Sequence, residues 1–154
     1  MAGVDPHIEH VGAWVSAGIR RTVPRAKLSD AFGPTYEEVG RLLGGAGVPV
    51  RGPAYAEYFG MPTDSVDVEI GFGIGEVVSV DGLAVTEHPA VRAVVGTHVG
   101  PYEQLAEAYG ELMPWLELEG HELAPSMYEL YLSEPDEDPA KTVTKLVFPV
   151  VDAG

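Results

Sequence analysis

The run "AYAEYF" at residues 54–59 has a near-copy, "MYELYL", at 127–132, and the segments around it repeat as well. The first half reads "WVSAGIRRTV", "FGPTYEEVGRLLGGAGV", "GPAYAEYFG" and "VDVEIGFGI". The second reads "VRAVVGTHV", "VGPYEQLAEAYGELMPWLELEG", "APSMYELYL" and "TVTKLVFPV". Repetition on this scale constrains a fold more than any local motif, because each copy must build the same supersecondary unit. Each copy reads as strand, helix, strand, strand, which predicts an α+β class with an antiparallel sheet. Repeat one covers about residues 11–80 and repeat two about 83–151.

The helices carry matching signals. Gly33-Pro34 and Gly100-Pro101 place glycine at an N-cap and proline at the first helical position. Glu37, Glu38 and Glu103 follow, with the sign that the helix dipole favours at its N-terminus. Leu105, Tyr109, Leu112 and Leu116 recur at helical spacing, as do Tyr36, Val39 and Leu43. Pro114 falls inside the second helix and predicts a kink or restart. "LLGGAGV" and "LEGHEL" end the two helices on glycine.

Side chains alternate between the faces of a strand. In "SMYELYL" one face would carry Tyr128, Leu130 and Leu132, suited to a core; the other would carry Met127, Glu129 and Tyr131. Aligning the copies sets Tyr55 on Tyr128, Tyr58 on Tyr131 and Phe72 on Phe148. Ala56 then aligns with Glu129, a small side chain against a carboxylate. The same register sets Glu57 against Leu130, which counts against it, since a slip of one residue reverses every face. "GFGIGE" lacks a following lysine and lies in a strand pattern, so it reads as strand rather than phosphate loop. Asp81-Gly82 marks a tight turn.

Composition bounds the function. The 154 residues suffice for one domain with its own core, and no apolar run reaches the ~20 residues of a membrane span. The N-terminal "MAGVDPHIEH" has no signal-peptide pattern, and there is no cysteine, which fits a cytoplasmic location. The net charge of −15 repels phosphate backbones and argues against direct nucleic-acid binding. Arg20, Arg21, Arg25 and Lys27 read as a solvated strand end. No cofactor motif is read, and no metal site: His7 and His10 point to opposite faces of a strand, and His88, His98 and His121 are scattered.

Taken in order, "GPYE", a Trp near the helix end, "YELYL" and the "VFPV" ending give a pattern that resembles the GyrI-like family, over roughly Val11 to Val151. That family includes the effector-binding domains of AraC-type and multidrug-responsive regulators. The resemblance implies two repeats related by pseudo-twofold symmetry around a central cavity that takes hydrophobic, often cationic, small molecules. It implies that Glu129 is the acidic residue of that cavity. Carried over by position, Tyr131, Trp115, Tyr58, Phe148 and Tyr102 are its aromatic walls. Regulators of this kind carry a helix-turn-helix domain. Only about ten residues precede the first strand here, which counts against direct transcriptional control by this chain.

A carboxylate among apolar walls is costly when ionised, so burial should raise its pKa and an organic cation should restore the charge balance. Each well-placed ring would add roughly 0.5–2 kcal/mol of cation–π attraction. Two other readings stay open. Some GyrI-like relatives are hydrolases that open the strained cyclopropane of DNA-alkylating natural products; here Glu129 with Tyr131 or Tyr102 would do the acid–base work. A third is a protein-interaction role, such as inhibition of gyrase by an acidic surface.

Overall fold

Each repeat folds as strand, helix, strand, strand. The computed structural model describes residues 5–60, 64–100, 105–120, 122–133 and 138–151. Repeat one supplies β2 (Trp14–Pro24), α1 (Leu28–Gly45), β3 (Val50–Phe59) and β4 (Ser65–Ile74). Repeat two supplies β6 (Val91–Val99), α2 (Leu105–Glu119), β7 (Ser126–Tyr131) and β8 (Val143–Pro149). Two short strands, β1 (His7–Val11) and β5 (Ala84–His88), precede the repeats. The chain divides into two compact units, Gly12–Ala90 and Met1–Val11 with Val91–Gly154.

In the Gly12–Ala90 unit the strands lie in the order β3-β4-β2-β5, and in the other unit β7-β8-β6-β1, antiparallel throughout. The registers are equivalent. Tyr55 lies opposite Gly71 and Phe72 opposite Ala17; Tyr128 lies opposite Val147 and Phe148 opposite Val94. Matching Tyr55 to Tyr128 therefore carries Phe72 onto Phe148, as the sequence alignment has it. The conflict at Glu57 dissolves, because Glu57 lies opposite Glu69 and its counterpart Leu130 opposite Lys145. The repeat differs in chemistry there, not in register.

The edge strands are exchanged. β5, which runs into repeat two, pairs with β2 of repeat one, with His88 opposite Trp14. β1, which runs into repeat one, pairs with β6 of repeat two, with Val11 opposite Val91. Thus the last residue of each edge strand meets the first residue of the same repeat strand.

Helix α1 lays Val39 and Leu43 on Ala17 and Ile74, and α2 lays Ala108, Leu112 and Leu116 on Val94, Leu146 and Phe148. These are the predicted apolar stripes, except that the Leu105 side chain lies outside the described residues. The start of α1 differs from expectation. The helix begins at Leu28, so Gly33-Pro34 is not its N-cap and Pro34 lies inside it. Pro101 is outside the described residues. Pro114 is inside α2, which is assigned as one helix from Leu105 to Glu119. Asp81-Gly82 makes the predicted turn, with Gly82 at φ 88° and the Leu83 amide donating to the Val80 carbonyl at 3.1 Å.

The core face of β7 also differs. Met127, Glu129 and Tyr131 share their side of the sheet with Leu146 and Phe148, so they face α2. Tyr128 is buried on the opposite face, while Leu132 is exposed. The helix decides which face is core, and the alternation alone could not say on which side the helix lies.

Candidate functional site

Strand β7 delivers Glu129 beneath α2, opposite Leu146, where the carboxylate is only 4 % exposed. Both of its oxygens are occupied. The Tyr109 hydroxyl, from α2, donates to Oε2 at 2.5 Å, and the Tyr131 hydroxyl, two residues along β7, donates to Oε1 at 2.5 Å. The Tyr109 hydroxyl also lies 3.7 Å from the Met127 sulfur. Among the described residues no cationic side chain pairs with Glu129. Burial raises its pKa above the ordinary carboxylate value, and the two phenol hydrogen bonds oppose that rise. The result is a buried carboxyl group oriented by two hydroxyls, equipped to attract positive charge or to exchange a proton.

The structure brings four of the six sequence-predicted residues into this helix–sheet interior. Tyr131 is bonded to Glu129. Phe148 is buried below α2, edge-on to Tyr109 with ring centroids 6.3 Å apart. Trp115, on α2, packs against the same cluster. Phe148 and Trp115 are thus core constituents of the unit that holds Glu129. Tyr58 belongs to the Gly12–Ala90 unit, on β3 opposite Val68. Tyr102 lies outside the described residues.

Sequence reasoning missed Tyr109 as a partner of Glu129. It stood in the predicted stripe of α2 as one more apolar body. The signal was its hydroxyl, because a tyrosine aimed into a helix–sheet interface needs an acceptor there. Glu129, on the facing strand, is that acceptor.

A second buried carboxylate was also missed. Glu69 on β4 is 4 % exposed and accepts a hydrogen bond at 2.6 Å from the hydroxyl of fully buried Tyr55. Alternation puts Glu69 and Tyr55 on the face away from α1, since Phe72, Ile74 and Ala17 face the helix. The signal was "EIGFG": two glycines opposite Gly18 and Ser16 leave room above the sheet for a large ring. Apart from these sites, a shallow open depression lined by Val77, Val78, Ser79, Val80, Leu83 and Val85 carries no titratable group.

Known proteins frame these observations. The EcmrR C-terminal domain is similar with a TM-score of 0.81 at 23% identity, over 97% of this chain and 98% of that one. The match extends to EcmrR in an EcmrR–DNA complex, where this chain spans 58% of the longer protein. SAV2435, solved bound to tetraphenylphosphonium, has a TM-score of 0.69 at 11% identity, covering 96% of this chain and 94% of that one. A hydrolase encoded by lin2189 from Listeria innocua has a TM-score of 0.63 at 16% identity, covering 97% and 93%. At these identities the likeness is one of fold. No curated protein matches the chain. The description "GyrI-like small molecule binding domain" matches residues 5–151, nearly the whole sequence. With its two strand-helix-strand-strand repeats, the chain belongs to the GyrI-like small molecule binding domain family.

Proposed function

We propose that this chain binds hydrophobic organic cations at Glu129. The observation that carries this reading is a carboxylate shut under a helix, held by two phenols and by no cationic side chain among the described residues. Such a group is poorly compensated when ionised, and a cationic ligand supplies the missing charge. The phenols would keep the carboxylate aimed while the rings of Tyr109, Tyr131, Trp115 and Phe148 contribute apolar and cation–π contact. Tetraphenylphosphonium, the ligand of the fold neighbour SAV2435, has the chemistry this reading calls for. Apolar contact would supply most of the affinity and the glutamate the preference for positive charge.

The test is a fluorescence titration with N-methylacridinium and its uncharged isostere 9-methylanthracene, on wild type and Glu129→Gln. Wild type should prefer the cation by about tenfold, equivalent to roughly 1.4 kcal/mol. The variant should lose that preference and keep its affinity for the neutral compound within about twofold. Equal preference in the two proteins would remove Glu129 from the binding reading.

Hydrolysis is a second reading, favoured by one feature: a carboxyl of raised pKa hydrogen-bonded to two phenols is acid–base equipment. In it Glu129 positions a water for attack on a strained cyclopropane carbon, and Tyr131 or Tyr102 assists proton transfer. A cyclopropane-bearing natural product incubated with the protein should then yield the ring-opened hydrate. Glu129→Gln should abolish turnover while the substrate still binds.

A further inference from the structure

The Gly12–Ala90 unit holds a chain of four polar side chains, one from each of its strands. Tyr55 on β3 donates to Glu69 on β4 at 2.6 Å. Ser16 on β2 neighbours the Tyr55 hydroxyl and acts on it as a donor that lowers its pKa, and the Ser16 Oγ lies 2.9 Å from Nε2 of His88 on β5. The outer end is half-buried: the His88 ring stacks on Trp14 at 4.3 Å and 11°, and Trp14 sits edge-on to Tyr55 at 5.3 Å.

This arrangement rests on missing side chains. A Cβ on Gly18 would fall 2.5 Å from the Tyr55 hydroxyl and 3.1 Å from the Glu69 Cγ. One on Gly71 would fall 2.0 Å from the Ala17 carbonyl oxygen. The equivalent positions of repeat two, read through the registers above, hold Val95 for Gly18, Val147 for Gly71, Lys145 for Glu69 and Ala93 for Ser16. Val11 stands for His88. One copy of the repeat therefore carries the whole constellation, while the other keeps only the tyrosine, as Tyr128, and lacks the carboxylate, the serine and the histidine, as expected for a functional unit rather than a requirement of the fold.

Each hydroxyl in the chain can give one proton, so the direction of one bond dictates the next. With Glu69 ionised, Tyr55 must donate to it, Ser16 then donates to Tyr55, and His88 donates through Nε2 to Ser16. With Glu69 protonated, the carboxylic acid can donate instead, and the polarity runs the other way, ending on a bare Nε2 and a proton on Nδ1. We infer that Glu69, Tyr55, Ser16 and His88 form a reversible hydrogen-bond relay that transmits the protonation of a buried carboxyl group to the ring of His88. This device lies in the unit that does not contain Glu129, and it stands whether or not the binding proposal does.

The charges around the relay suit a switch. Glu69 is flanked by Glu57 directly opposite on β3 and by Arg20 directly opposite on β2, and Arg20 is itself held by Asp67 at 2.7–2.9 Å. His88 on β5 completes the set of charged or titratable groups facing Glu69 among the described residues. Burial, with Glu57 adding to it, raises the Glu69 pKa, while burial lowers that of His88 and Glu69 raises it. The two groups are pushed toward each other on the pH scale.

The test is the 15N-resolved titration of the His88 ring in wild type, Glu69→Gln, Ser16→Ala and the double variant. In wild type above the Glu69 titration the ring should be the Nε2–H tautomer. Glu69→Gln should lower the His88 pKa by roughly 0.5–1 unit and mix the tautomers. Ser16→Ala should mix the tautomers as well and remove at least half of the response to Glu69→Gln. An equal response in both backgrounds would show a field acting through space and overturn the relay, as would an unchanged tautomer in Ser16→Ala. If Ser16→Ala does not fold, Tyr55→Phe breaks the same chain one link further in, and the same outcomes apply.

Discussion

At the scale of single residues, the chemistry concentrates in two glutamates, and each has a pH signature. Glu129 has a folded-state pKa raised above its ordinary 4.5. A raised folded value means that the folded state holds the proton more tightly than the unfolded chain. The associated stability is fully present below about 4.5 and is lost as pH rises through the folded pKa. Urea unfolding between pH 4 and 8 should therefore show a decline that Glu129→Gln flattens; a variant with the same profile as wild type would remove Glu129 as its source. Tyr109→Phe leaves one buried carboxylate oxygen without its donor and should cost about 1–3 kcal/mol at pH 7, less in acid. The sequence made Glu129 visible because a carboxylate broke an apolar alternation. Tyr109 and Glu69 stayed hidden for a physical reason. Each is defined by a partner more than a dozen residues away, and no local pattern announces a hydrogen bond between a helix and a strand, or a ring lying over glycines.

At the scale of elements, glycine and proline show how far local rules reach. Gly71 sits where a Cβ would strike the backbone of β2, which cannot move without breaking the sheet. Gly110 lies inside α2 with open space around it. Thermal unfolding should separate them: Gly71→Ala severely destabilises the Gly12–Ala90 unit, while Gly110→Ala stabilises by about 0.5–1 kcal/mol. Pro34 inside α1 removes one helical hydrogen bond, to the carbonyl of Asp30. Replacing it with alanine should gain about 1–2 kcal/mol, the helix penalty of about 3 being offset by the greater freedom of the unfolded chain. A neutral result would mean that neighbouring structure already absorbs the strain. Strand and helix order was legible because period and punctuation are local. The start of α1 was not. Gly-Pro is a common opening of a helix, and nothing short-range tells an opening proline from one that tertiary packing of Val39 and Leu43 on the sheet keeps inside a helix.

At the scale of the whole chain, the repeat is both the most legible feature and the source of the main surprise. Two copies with equal register explain why each unit has the same strand order, and why a glutamate in one can stand where the other has alanine. The exchange of edge strands could not be read, since either neighbour offers β1 an apolar strand to pair with. It has a consequence for stability. The chain leaves one unit after Val11 and returns after Ala90, so the Val91–Gly154 segment gains its edge strand from the far end of the sequence. That strand is tied down by five register pairs and by the Lys145 ammonium donating to Glu9 at 2.7 Å. The ion pair is partly exposed and contributes little alone, so the ladder must do most of the anchoring. Removing residues 1–11 should then strip hydrogen-exchange protection from the β6 amides that face β1, in the second repeat. The β2–β5 ladder, adjacent in sequence to the cut, should keep its protection. Loss confined to β2 would mean that each repeat is closed by its own leading strand, and the exchanged pairing would be wrong.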